Sequence, residues 1–311
     1  MARARIHGRI ADALTLPAPT APLLAGAGVV AVPVADLRRR PGQASELVSQ
    51  GLFGETYRVL GRSRDGRWLH ARGDEDGYAG WMRSWSLALG ARPAVAAWRA
   101  RANLRVDRPW IELGAGLGAL PFGARVALVR GGAFGPLGPL GPAQTGLALL
   151  PSTPTRSAPA RLGRALVATA RRFEGVSYHW GGRTFAGTDC SGLVQLAARP
   201  HGLFLPRDAR DQCRKAGGTR GLRRFESALS PAAKAVGILP GDLWFFGPRA
   251  GGVTHVAIST GGLELVHAYG RVGPGSLDPG SGEFLPELFR SVLGWAPLRR
   301  LLPRSTRPAH P

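Results

Sequence analysis

The chain has 311 residues, a length that accommodates two or three domains, and 44% of them are hydrophobic, enough to form a core. Lys and Arg number 41 against 20 Asp and Glu, for a formal net charge of +21. The arginines are scattered, and neither zinc-ligand spacing nor an RNA-binding aromatic motif accompanies them, so we expect no nucleic-acid partner. No apolar run reaches the roughly 18 residues of a membrane-spanning helix. Attraction to another anionic polymer or surface stays open.

Residues 1–27 are interpreted as an N-terminal extension that precedes the first domain. Their start is basic, and residues 23–32 form an apolar run that is similar to a weak signal-peptide core. We favour another interpretation, in which residues 29–37 already form the first strand of a folded domain. This interpretation favours a cytoplasmic location, and export is the alternative.

Residues 28–88 and 89–155 each alternate short β-type runs with turn residues. In the first stretch, Tyr57 and Val59 show the period of two that is typical of half-buried strands. A similar order recurs in the second stretch, where the glycine- and proline-rich residues 134–142 are expected to form a loop. Small barrels close such strands, so the sequence predicts two all-β barrels in tandem.

Beyond residue 155 the pattern changes to helices followed by strands. Four residues spaced by four, three and four positions define one face of a helix: Leu162, Leu166, Thr169 and Phe173. A second helix is expected to begin at Asp189, which can cap it, and three strands follow in the segments DLWFF, VTHVAIS and LELVHAY. This order predicts an α+β domain over residues 156–298. A basic, proline-rich tail, residues 299–311, is expected to be disordered.

A cysteine and two histidines of this domain suggest nucleophilic catalysis. Cys190 lies at the predicted first turn of a helix, where backbone N–H groups and the helix dipole favour a thiolate, although most lone cysteines are small buried hydrophobes. A thiolate nucleophile needs a base, and His255 points inward on its predicted strand. His267 follows 12 residues later, beyond the glycine pair 261–262. A hairpin would bring the two rings together, so that the second can orient the first.

The α+β domain resembles, block by block, the NlpC-type cysteine peptidases of bacterial cell walls, which have a papain-like fold. The resemblance covers about residues 160–296 and rests on five ordered segments: YHWGGRTFAGTDCSGLV, LPRDARDQ, LPGDLWFF, THVAIS and LVHA. It implies Cys190 as nucleophile, His255 as base and His267 as the residue that orients the base. Tyr178 matches a family tyrosine near the nucleophile, whose hydroxyl can contact the substrate or the oxyanion, and a packing aromatic is the alternative. The implied chemistry needs no metal and no cofactor.

Asp189 and Ser191 flank the nucleophile and are predicted to bind substrate. The resemblance to relatives that trim released wall peptides implies that Asp189 pairs with the free α-amine of an N-terminal L-alanine. Helix capping is the alternative for Asp189, and the two roles can coexist.

The first barrel resembles the bacterial SH3-like domain that precedes the catalytic domain in γ-D-glutamyl-L-diamino-acid endopeptidases of the dipeptidyl-peptidase VI type. The resemblance rests on VAVPVADLRRRPGQASELVSQGLFGETYRVL and DGYAGWM. It implies that Glu46 and Tyr78 face the substrate amine. Glu55, in an equally family-like segment, competes with Glu46, and a plain barrel aromatic is the alternative for Tyr78. The second barrel matches the family poorly.

The leading hypothesis is an α+β papain-like cysteine peptidase preceded by two SH3-like barrels. It would hydrolyse the γ-D-glutamyl to L-diamino acid amide of peptidoglycan-derived peptides and release L-Ala-γ-D-Glu, as in the recycling of wall peptides. A wall-cutting hydrolase and an amidase or acyltransferase with the same cysteine–histidine pair are alternatives on the same fold. A non-catalytic wall-binding protein is a further alternative, against which the intact Cys190, His255 and His267 argue. The sequence assigns no role to Cys213 or to the basic residues 217–235, and it leaves the diamino acid and the oligomeric state open.

Overall fold

The structure is a computed structural model that describes residues 26–112, 118–129, 132–141, 149–151, 158–224, 237–248, 250 and 252–303. The chain divides into two compact units, Met1–Thr153 and Pro154–Pro311. The predicted N-terminal extension lies outside the described residues up to position 25. Residues 152–157 and residues 225–235 of the basic segment 217–235 lie outside them as well.

The first unit begins with seven strands: β1 (Ala27–Val30), β2 (Val34–Arg38), β3 (Leu47–Leu52), β4 (Thr56–Arg62), β5 (Trp68–Gly73), β6 (Ala79–Arg83) and, after the 3₁₀ turn Ser84–Ser86, β7 (Leu87–Gly90). They form one antiparallel sheet in the order β3-β2-β6-β5-β4-β1-β7. The predicted alternation on β4 is confirmed, because Tyr57 and Val59 are buried while Arg58 between them is exposed. Both buried side chains belong to the apolar cluster of this sheet.

The expected single strand over residues 29–37 is wrong, because β1 ends at Val30 and β2 begins at Val34. Pro33 has no N–H to donate to a strand ladder, and its carbonyl accepts a hydrogen bond from the Phe53 amide at 3.1 Å. The chain turns at this point. As a result β1 pairs with β4 and β7, whereas β2 pairs with β3 and β6.

The first sheet is followed by a helix that was not predicted from the sequence, α1 (Arg92–Arg101). Pro93 lies in its first turn, and its buried residues, Val95 and Trp98, are three positions apart. Both pack against apolar residues of β1, and the Trp98 Nε1 donates to the Gly54 carbonyl at 3.0 Å. A proline followed by two apolar residues three positions apart is typical of the start of a helix, and this pattern is present in the sequence.

Seven short strands complete the first unit: β8 (Leu104–Val106), β9 (Trp110–Glu112), β10 (Ala119–Pro121), β11 (Arg125–Val129), β12 (Gly132–Gly135), β13 (Gly138–Gly141) and β14 (Leu149–Pro151). Five of them form a sheet in the order β13-β12-β11-β8-β14, and β9 pairs with β10. The expected loop over residues 134–142 is wrong, because β12 and β13 form an antiparallel hairpin there. Pro139 is tolerated because β13 is an edge strand.

The second unit contains helices, short strand pairs and a sheet: α2 (Pro159–Arg171), β15 (Arg183–Thr184), β16 (Gly187–Thr188), α3 (Cys190–Ala198), the 3₁₀ turn Arg199–His201, α4 (Ala209–Lys215), α5 (Gly218–Gly221), β17 (Leu243–Phe246), β18 (His255–Gly261), β19 (Glu264–Tyr269), β20 (Arg271–Ser276), α6 (Pro286–Ser291), β21 (Val292–Ala296) and the 3₁₀ turn Leu298–Arg300. The sheet is antiparallel with the order β20-β19-β18-β17-β21.

The predicted order of elements in this unit is confirmed. The four residues of the predicted helix face, Leu162, Leu166, Thr169 and Phe173, are all buried. The three predicted strands correspond to β17, β18 and β19, and the left-handed glycine pair 261–262 turns the chain between the last two. The predicted disorder of the tail is wrong at its start, because Leu301 is fully buried; residues 304–311 lie outside the described part.

Candidate active site

The helix that carries Cys190 starts at a buried aspartate. Asp189 has extended backbone angles (φ −94°, ψ 178°), and its Oδ1 accepts a hydrogen bond from the Gly192 amide at 2.7 Å, as the capping prediction requires. Gly192 packs so closely on the loop before it that a β-carbon would lie 2.5 Å from the Gly182 carbonyl oxygen. This contact holds the first turn of α3 in place, with Cys190 only 6% exposed.

The Asp189 carboxylate accepts hydrogen bonds at both oxygens. Arg207 donates from Nη1 to Oδ1 at 2.9 Å and from Nη2 to Oδ2 at 2.5 Å, and the Gly181 amide donates to Oδ2 at 2.9 Å. Burial acts to raise the pKa of Asp189, but the charge and hydrogen bonds of Arg207 outweigh it and hold the pKa below its ordinary value. Asp189 is therefore an ionised helix cap and ion-pair partner. The pairing of Asp189 with the substrate amine stays a prediction, and an amine bound there would have to compete with these donors.

Ser191 belongs to the same buried network. Its hydroxyl donates to Asp189 Oδ1 at 3.2 Å and accepts from Arg207 Nη1 at 2.9 Å. Its carbonyl accepts from Gln212 Nε2, on α4, at 3.1 Å. The structure thus gives Ser191 a framework role beside Cys190, and its contact with substrate stays a prediction.

The two histidine rings meet on neighbouring strands, as the hairpin prediction required. The distance between His255 Nε2 and His267 Nδ1 is 3.2 Å, and the ring planes are nearly perpendicular at 86°. On its other face His267 stacks on Tyr269 with centroids 6.3 Å apart. Because Nε2 of His255 contacts His267, Nδ1 is the nitrogen that would serve the predicted nucleophile, Cys190.

Cys190, the predicted nucleophile, lies beside the start of β18. The backbone amide of Val256, the residue after His255, hydrogen-bonds the Cys190 sulfur and lowers the pKa of this thiol, and the Ser191 amide acts in the same sense. The sulfur therefore lies between the first turn of α3 and the strand that carries His255.

The expected low pKa of Cys190 is not what the structure shows. Burial, followed by the negative charge of Asp189, raises the pKa of the thiol to about 11 despite the amide hydrogen bonds. Burial and the neighbouring His267 lower the pKa of His255 to about 3, and burial lowers the pKa of His267 to about 4. Desolvation disfavours each charged form, so the site holds a neutral thiol beside neutral imidazoles.

Tyr178 lies close enough to the nucleophile to interact with it electrostatically. Its amide donates to the Gly270 carbonyl at 2.8 Å, and it forms a parallel bridge with Thr188, immediately before Asp189. Burial and the charges of Cys190 and Asp189 raise the pKa of the phenol. The hydroxyl therefore stays protonated and can donate a hydrogen bond, although its contact with substrate stays a prediction.

The predicted substrate residues of the first barrel have different surroundings. Glu46 is exposed and binds Arg39, with Oε2 at 2.5 Å from Nε and Oε1 at 3.1 Å from Nη2. Tyr78 is half-buried and packs against the apolar cluster of the first sheet. Glu55 is only 3% exposed and accepts from the Leu52 amide at 3.2 Å, a structural role that leaves Glu46 as the more accessible carboxylate. The roles of Glu46 and Tyr78 stay predictions.

No role was predicted for Arg207, although its segment LPRDARDQ is one of the five that carry the family resemblance. Residues 205–212 are rich in charged side chains, so no pattern in the sequence marks Arg207 as the one that is buried and paired. Tyr269 was also missed, although it lies two positions after His267 and therefore on the same face of the same strand.

Within the described part of the chain, no helix is long and apolar enough to cross a membrane. The same residues include no group of three or more His, Cys, Asp or Glu arranged to hold a metal ion. Cys190 and Cys213 are both free thiols, and burial raises the pKa of Cys213 to about 11.

Residues 175–281 match the NlpC/P60 family, and residues 37–87 match the bacterial dipeptidyl-peptidase Sh3 domain. The chain is 26% identical over 242 residues to a gamma-D-glutamyl-L-lysine dipeptidyl-peptidase of Bacillus subtilis (strain 168), and the match covers 71% of each protein. It is 38% identical over 102 residues to the bifunctional muramidase/DL-endopeptidase CwlT of the same organism, which is 32% of this chain and 27% of that protein.

Two solved structures share the fold over most of the chain. An NlpC/P60 family protein from Bacillus cereus ATCC 10987 has a TM-score of 0.63 at 21% identity and covers 87% of this chain and 98% of its own. An NlpC/P60 endopeptidase from Photobacterium damselae subsp. piscicida has a TM-score of 0.66 at 16% identity, covering 90% of this chain and 75% of its own. The predicted fold class, an all-β SH3-like region followed by an α+β domain, is confirmed. This chain therefore carries a peptidase domain of the NlpC/P60 family, preceded in the sequence by a bacterial SH3 domain of the dipeptidyl-peptidase type.

Proposed function

We propose that this protein is a cysteine endopeptidase that hydrolyses the amide between γ-D-glutamate and an L-diamino acid in peptidoglycan-derived peptides. The observation that carries the chemistry is the 3.2 Å contact of His255 with His267, next to a strand amide that hydrogen-bonds the Cys190 sulfur. The choice of bond is supported by the SH3 domain of the dipeptidyl-peptidase type and by relatives named for gamma-D-glutamyl-L-lysine dipeptidyl-peptidase activity.

In the proposed first step the Cys190 sulfur attacks the γ-carbonyl carbon of D-glutamate while its proton passes to Nδ1 of His255. For Nδ1 to accept that proton, the neutral ring must carry its own proton on Nε2 and donate it to Nδ1 of His267. His267 then carries its proton on Nε2. The contact between the rings thus selects the tautomer of His255 that can act as a base and fixes the orientation of its ring.

The tetrahedral intermediate then collapses. His255 gives the proton on Nδ1 to the amine of the diamino acid, the C–N bond breaks, and a thioester to Cys190 remains. Water attacks this thioester and gives a proton to His255, which returns it to the departing sulfur. We propose the protonated hydroxyl of Tyr178 as a donor to the oxyanion in both halves of the reaction.

We also propose that the substrate must have a free amine on its N-terminal L-alanine. The predicted partners are Asp189, Glu46 and Tyr78, and we propose the last two, because Arg207 and two backbone amides already bind Asp189. Glu46 already binds Arg39, but both side chains of that ion pair are exposed, and exposed pairs contribute only about 0–1 kcal/mol. A substrate ammonium can therefore compete for this carboxylate at little energetic cost. Specificity for released peptides is consistent with a recycling role in the cytoplasm, which we propose with it.

Mass spectrometry of digests tests the function directly. L-Ala-γ-D-Glu-L-Lys and the corresponding diaminopimelate tripeptide should yield L-Ala-γ-D-Glu and the free diamino acid, whereas isolated cross-linked wall should release little soluble peptide. Wall release as fast as tripeptide cleavage would favour the wall-cutting hydrolase. Cleavage only at another amide would favour an amidase. A folded protein that cleaves neither substrate would contradict the proposal.

A further inference from the structure

We infer that Arg207 is a positioning residue for this reaction: by binding Asp189 and Ser191 together, it fixes the two residues that flank Cys190 and balances the negative charge beside the sulfur. The inference rests on the proposed role of Cys190 as the nucleophile. Arg207 itself is assigned no contact with the substrate or with the reacting atoms.

The geometry concerns both neighbours of the nucleophile. One guanidinium nitrogen of Arg207, Nη1, donates to Asp189 Oδ1 and to the Ser191 hydroxyl, at 2.9 Å in each case. The other, Nη2, reaches Asp189 Oδ2 at 2.5 Å. The planar fork thus holds residues 189 and 191 in one fixed arrangement, and Arg207 is only 1% exposed. The side chain of Cys190 lies between two residues that cannot move independently.

Helix capping does not explain this arrangement. An asparagine or serine caps a helix about as well as an aspartate and brings no charge into the protein. A buried carboxylate and a buried guanidinium both lose their hydration, and such a pair is often no more stable than apolar residues of similar volume. The charged pair is therefore better explained by what it does for its neighbour than by what it adds to stability.

That neighbour is the Cys190 sulfur, and the two charges act on it in opposite directions. The negative charge of Asp189 raises the pKa of the thiol, whereas Arg207 lowers it. The other titratable groups around the site are Tyr178 and the neutral pair His255 and His267. Around Arg207, two further charges act on its own pKa: Arg183 lowers it and Asp208 raises it.

Removal of Arg207 would leave Asp189 as a buried, uncompensated anion beside a sulfur that must become negative during attack. The thiolate would then form less readily, and the first turn of α3 would lose its fixed position. Removal of both the Asp189 and the Arg207 charge would restore the electrostatic balance at the sulfur, but it would not restore the hydrogen bonds that the guanidinium makes to residues 189 and 191. The single and double variants therefore separate the two contributions.

The test compares Arg207→Met, Arg207→Lys and the double variant Asp189→Asn/Arg207→Met, all in a Cys213→Ala background so that Cys190 is the only thiol. The readouts are the rate of alkylation by iodoacetamide from pH 7 to 10, and kcat and KM on the free tripeptide. The matched control is Arg214→Met, which removes an exposed arginine–aspartate pair on the neighbouring helix.

We expect Arg207→Met to alkylate about 10-fold more slowly at each pH, as a rise of about one unit in the thiol pKa requires. Its kcat should fall about 10- to 100-fold with KM changed less than about 3-fold, because the loss concerns alignment and not binding. The double variant should alkylate at close to the wild-type rate while its kcat stays low. Arg207→Lys keeps the charge without the fork and should alkylate normally with an intermediate kcat. Arg214→Met should match wild type in every readout.

Wild-type alkylation and turnover in folded Arg207→Met would overturn the inference. So would a double variant that alkylates as slowly as Arg207→Met, because charge balance would then not be the cause. If Arg207→Met does not fold, wild-type kcat in Arg207→Lys, or a double variant that alkylates about 10-fold more slowly than wild type, would overturn the inference. Alkylation needs no substrate, so a wild-type enzyme that cannot cleave the tripeptide contradicts the proposed function and leaves the alkylation comparison as a separate test of Arg207.

Discussion

Two buried clusters of arginine and carboxylate, one in each unit, use the same interaction in different surroundings. In the first unit, Glu75 Oε1 accepts from Arg105 at 2.6 Å and from Arg125 at 3.0 Å. Each arginine also donates to a backbone carbonyl: Arg105 Nη1 to that of Gly123 at 3.0 Å, and Arg125 Nε to that of Ala102 at 2.9 Å. In the second unit, Arg207 binds Asp189 and the Ser191 hydroxyl directly beside a thiol.

The difference shows that burial and pairing alone do not identify a functional site. Glu75 lies in the turn between β5 and β6, while Arg105 and Arg125 lie on β8 and β11, so this cluster ties the two sheets of the first unit together. Burial lowers the pKa of Arg125 to about 10, a shift as large as many found in active sites. What distinguishes the Asp189 cluster is a cysteine and a histidine on adjacent elements, Cys190 and His255, which we propose as nucleophile and base.

The largest expected effect follows from this distinction. Cys190→Ala should lower kcat/KM on the free tripeptide by more than about 1,000-fold without unfolding the protein, because no acyl-enzyme can form. His255→Ala should be nearly as damaging, whereas His267→Ala should retain more activity because water can partly replace an orienting group. Steady-state kinetics with circular dichroism as the folding control measures this series.

Residual activity of a tenth of wild type in Cys190→Ala would remove this cysteine from the mechanism and with it the contrast between the two clusters. A chelator should leave wild-type turnover unchanged. Turnover that stops on addition of EDTA and returns with a divalent metal would point to a metal hydrolase.

The second prediction concerns the other cluster. Arg125→Met removes one of the two arginines that bind Glu75 and leaves Arg105 paired with it, so the free energy of unfolding should fall by about 1.5–3 kcal/mol, the range for loss of a hydrogen bond to a charged group. Urea denaturation at pH 7 measures the loss. Below the transition the variant should keep wild-type kcat and the wild-type alkylation rate of Cys190. A change in thiol reactivity with unchanged stability would erase the proposed distinction.

The sequence was sufficient for the parts of the site that depend on local pattern. Asp189 precedes an apolar helical run and caps it, and the glycine pair 261–262 between two strands brings His255 next to His267. Arg207 could not be assigned in this way, because its partners lie 16 and 18 positions earlier and only the packing of α3 against the following segment brings them together.

The prediction of a low pKa for the Cys190 thiol was wrong for a related reason. A helix start and its amides favour a thiolate, and this local effect is visible in the sequence. Desolvation of Cys190 and the charge of Asp189 are tertiary effects and outweigh it. Two prolines of the first unit show the same limit. Pro33 was predicted to lie within a strand and lies between β1 and β2, whereas Pro139 was predicted to lie in a loop and lies on the edge strand β13.

A third prediction uses pH, because the Asp189 cluster adjoins two histidines. Below about pH 6.5 an unfolded chain binds a proton on each imidazole, whereas the fold holds His255 and His267 neutral down to pKa values of about 3 and about 4. Unfolding then takes up protons, so stability falls as the pH falls through this window. Between pH 7 and pH 4 we expect a loss of about 3 kcal/mol from each ring, or about 6 kcal/mol from the pair.

Urea denaturation at pH 7, 5.5 and 4 checks the expectation, with His255→Gln/His267→Asn as the reference. The double variant should lose clearly less stability than wild type over the same range, since its carboxylates are unchanged and only the imidazoles are gone. Equal losses in the two proteins would mean that the rings are already accessible to protons in the folded state.

The last prediction asks which carboxylate recognises the substrate amine. N-acetylation of the L-alanine removes the ammonium and leaves the carboxylate that binds it without a charged donor. The loss of a hydrogen bond to a charged group costs about 2 kcal/mol, so kcat/KM should fall about 30-fold. Because Arg207 and two backbone amides already bind Asp189, Asp189→Asn should leave this ratio of free to acetylated substrate nearly unchanged. Glu46→Gln should reduce it.

The pH dependence adds an independent check on the same assignment. The α-amine of the peptide loses its proton near pH 8, so kcat/KM for the free tripeptide should fall above that pH while the slow rate for the acetylated peptide does not. The enzyme's own thiol and imidazole pKa values, about 11 and about 3, lie well outside this range. Equal rates for the two peptides would contradict the free-amine requirement. A ratio that collapses in Asp189→Asn but survives in Glu46→Gln would return the amine to Asp189, and would mean that the ion pair with Arg207 opens when substrate binds.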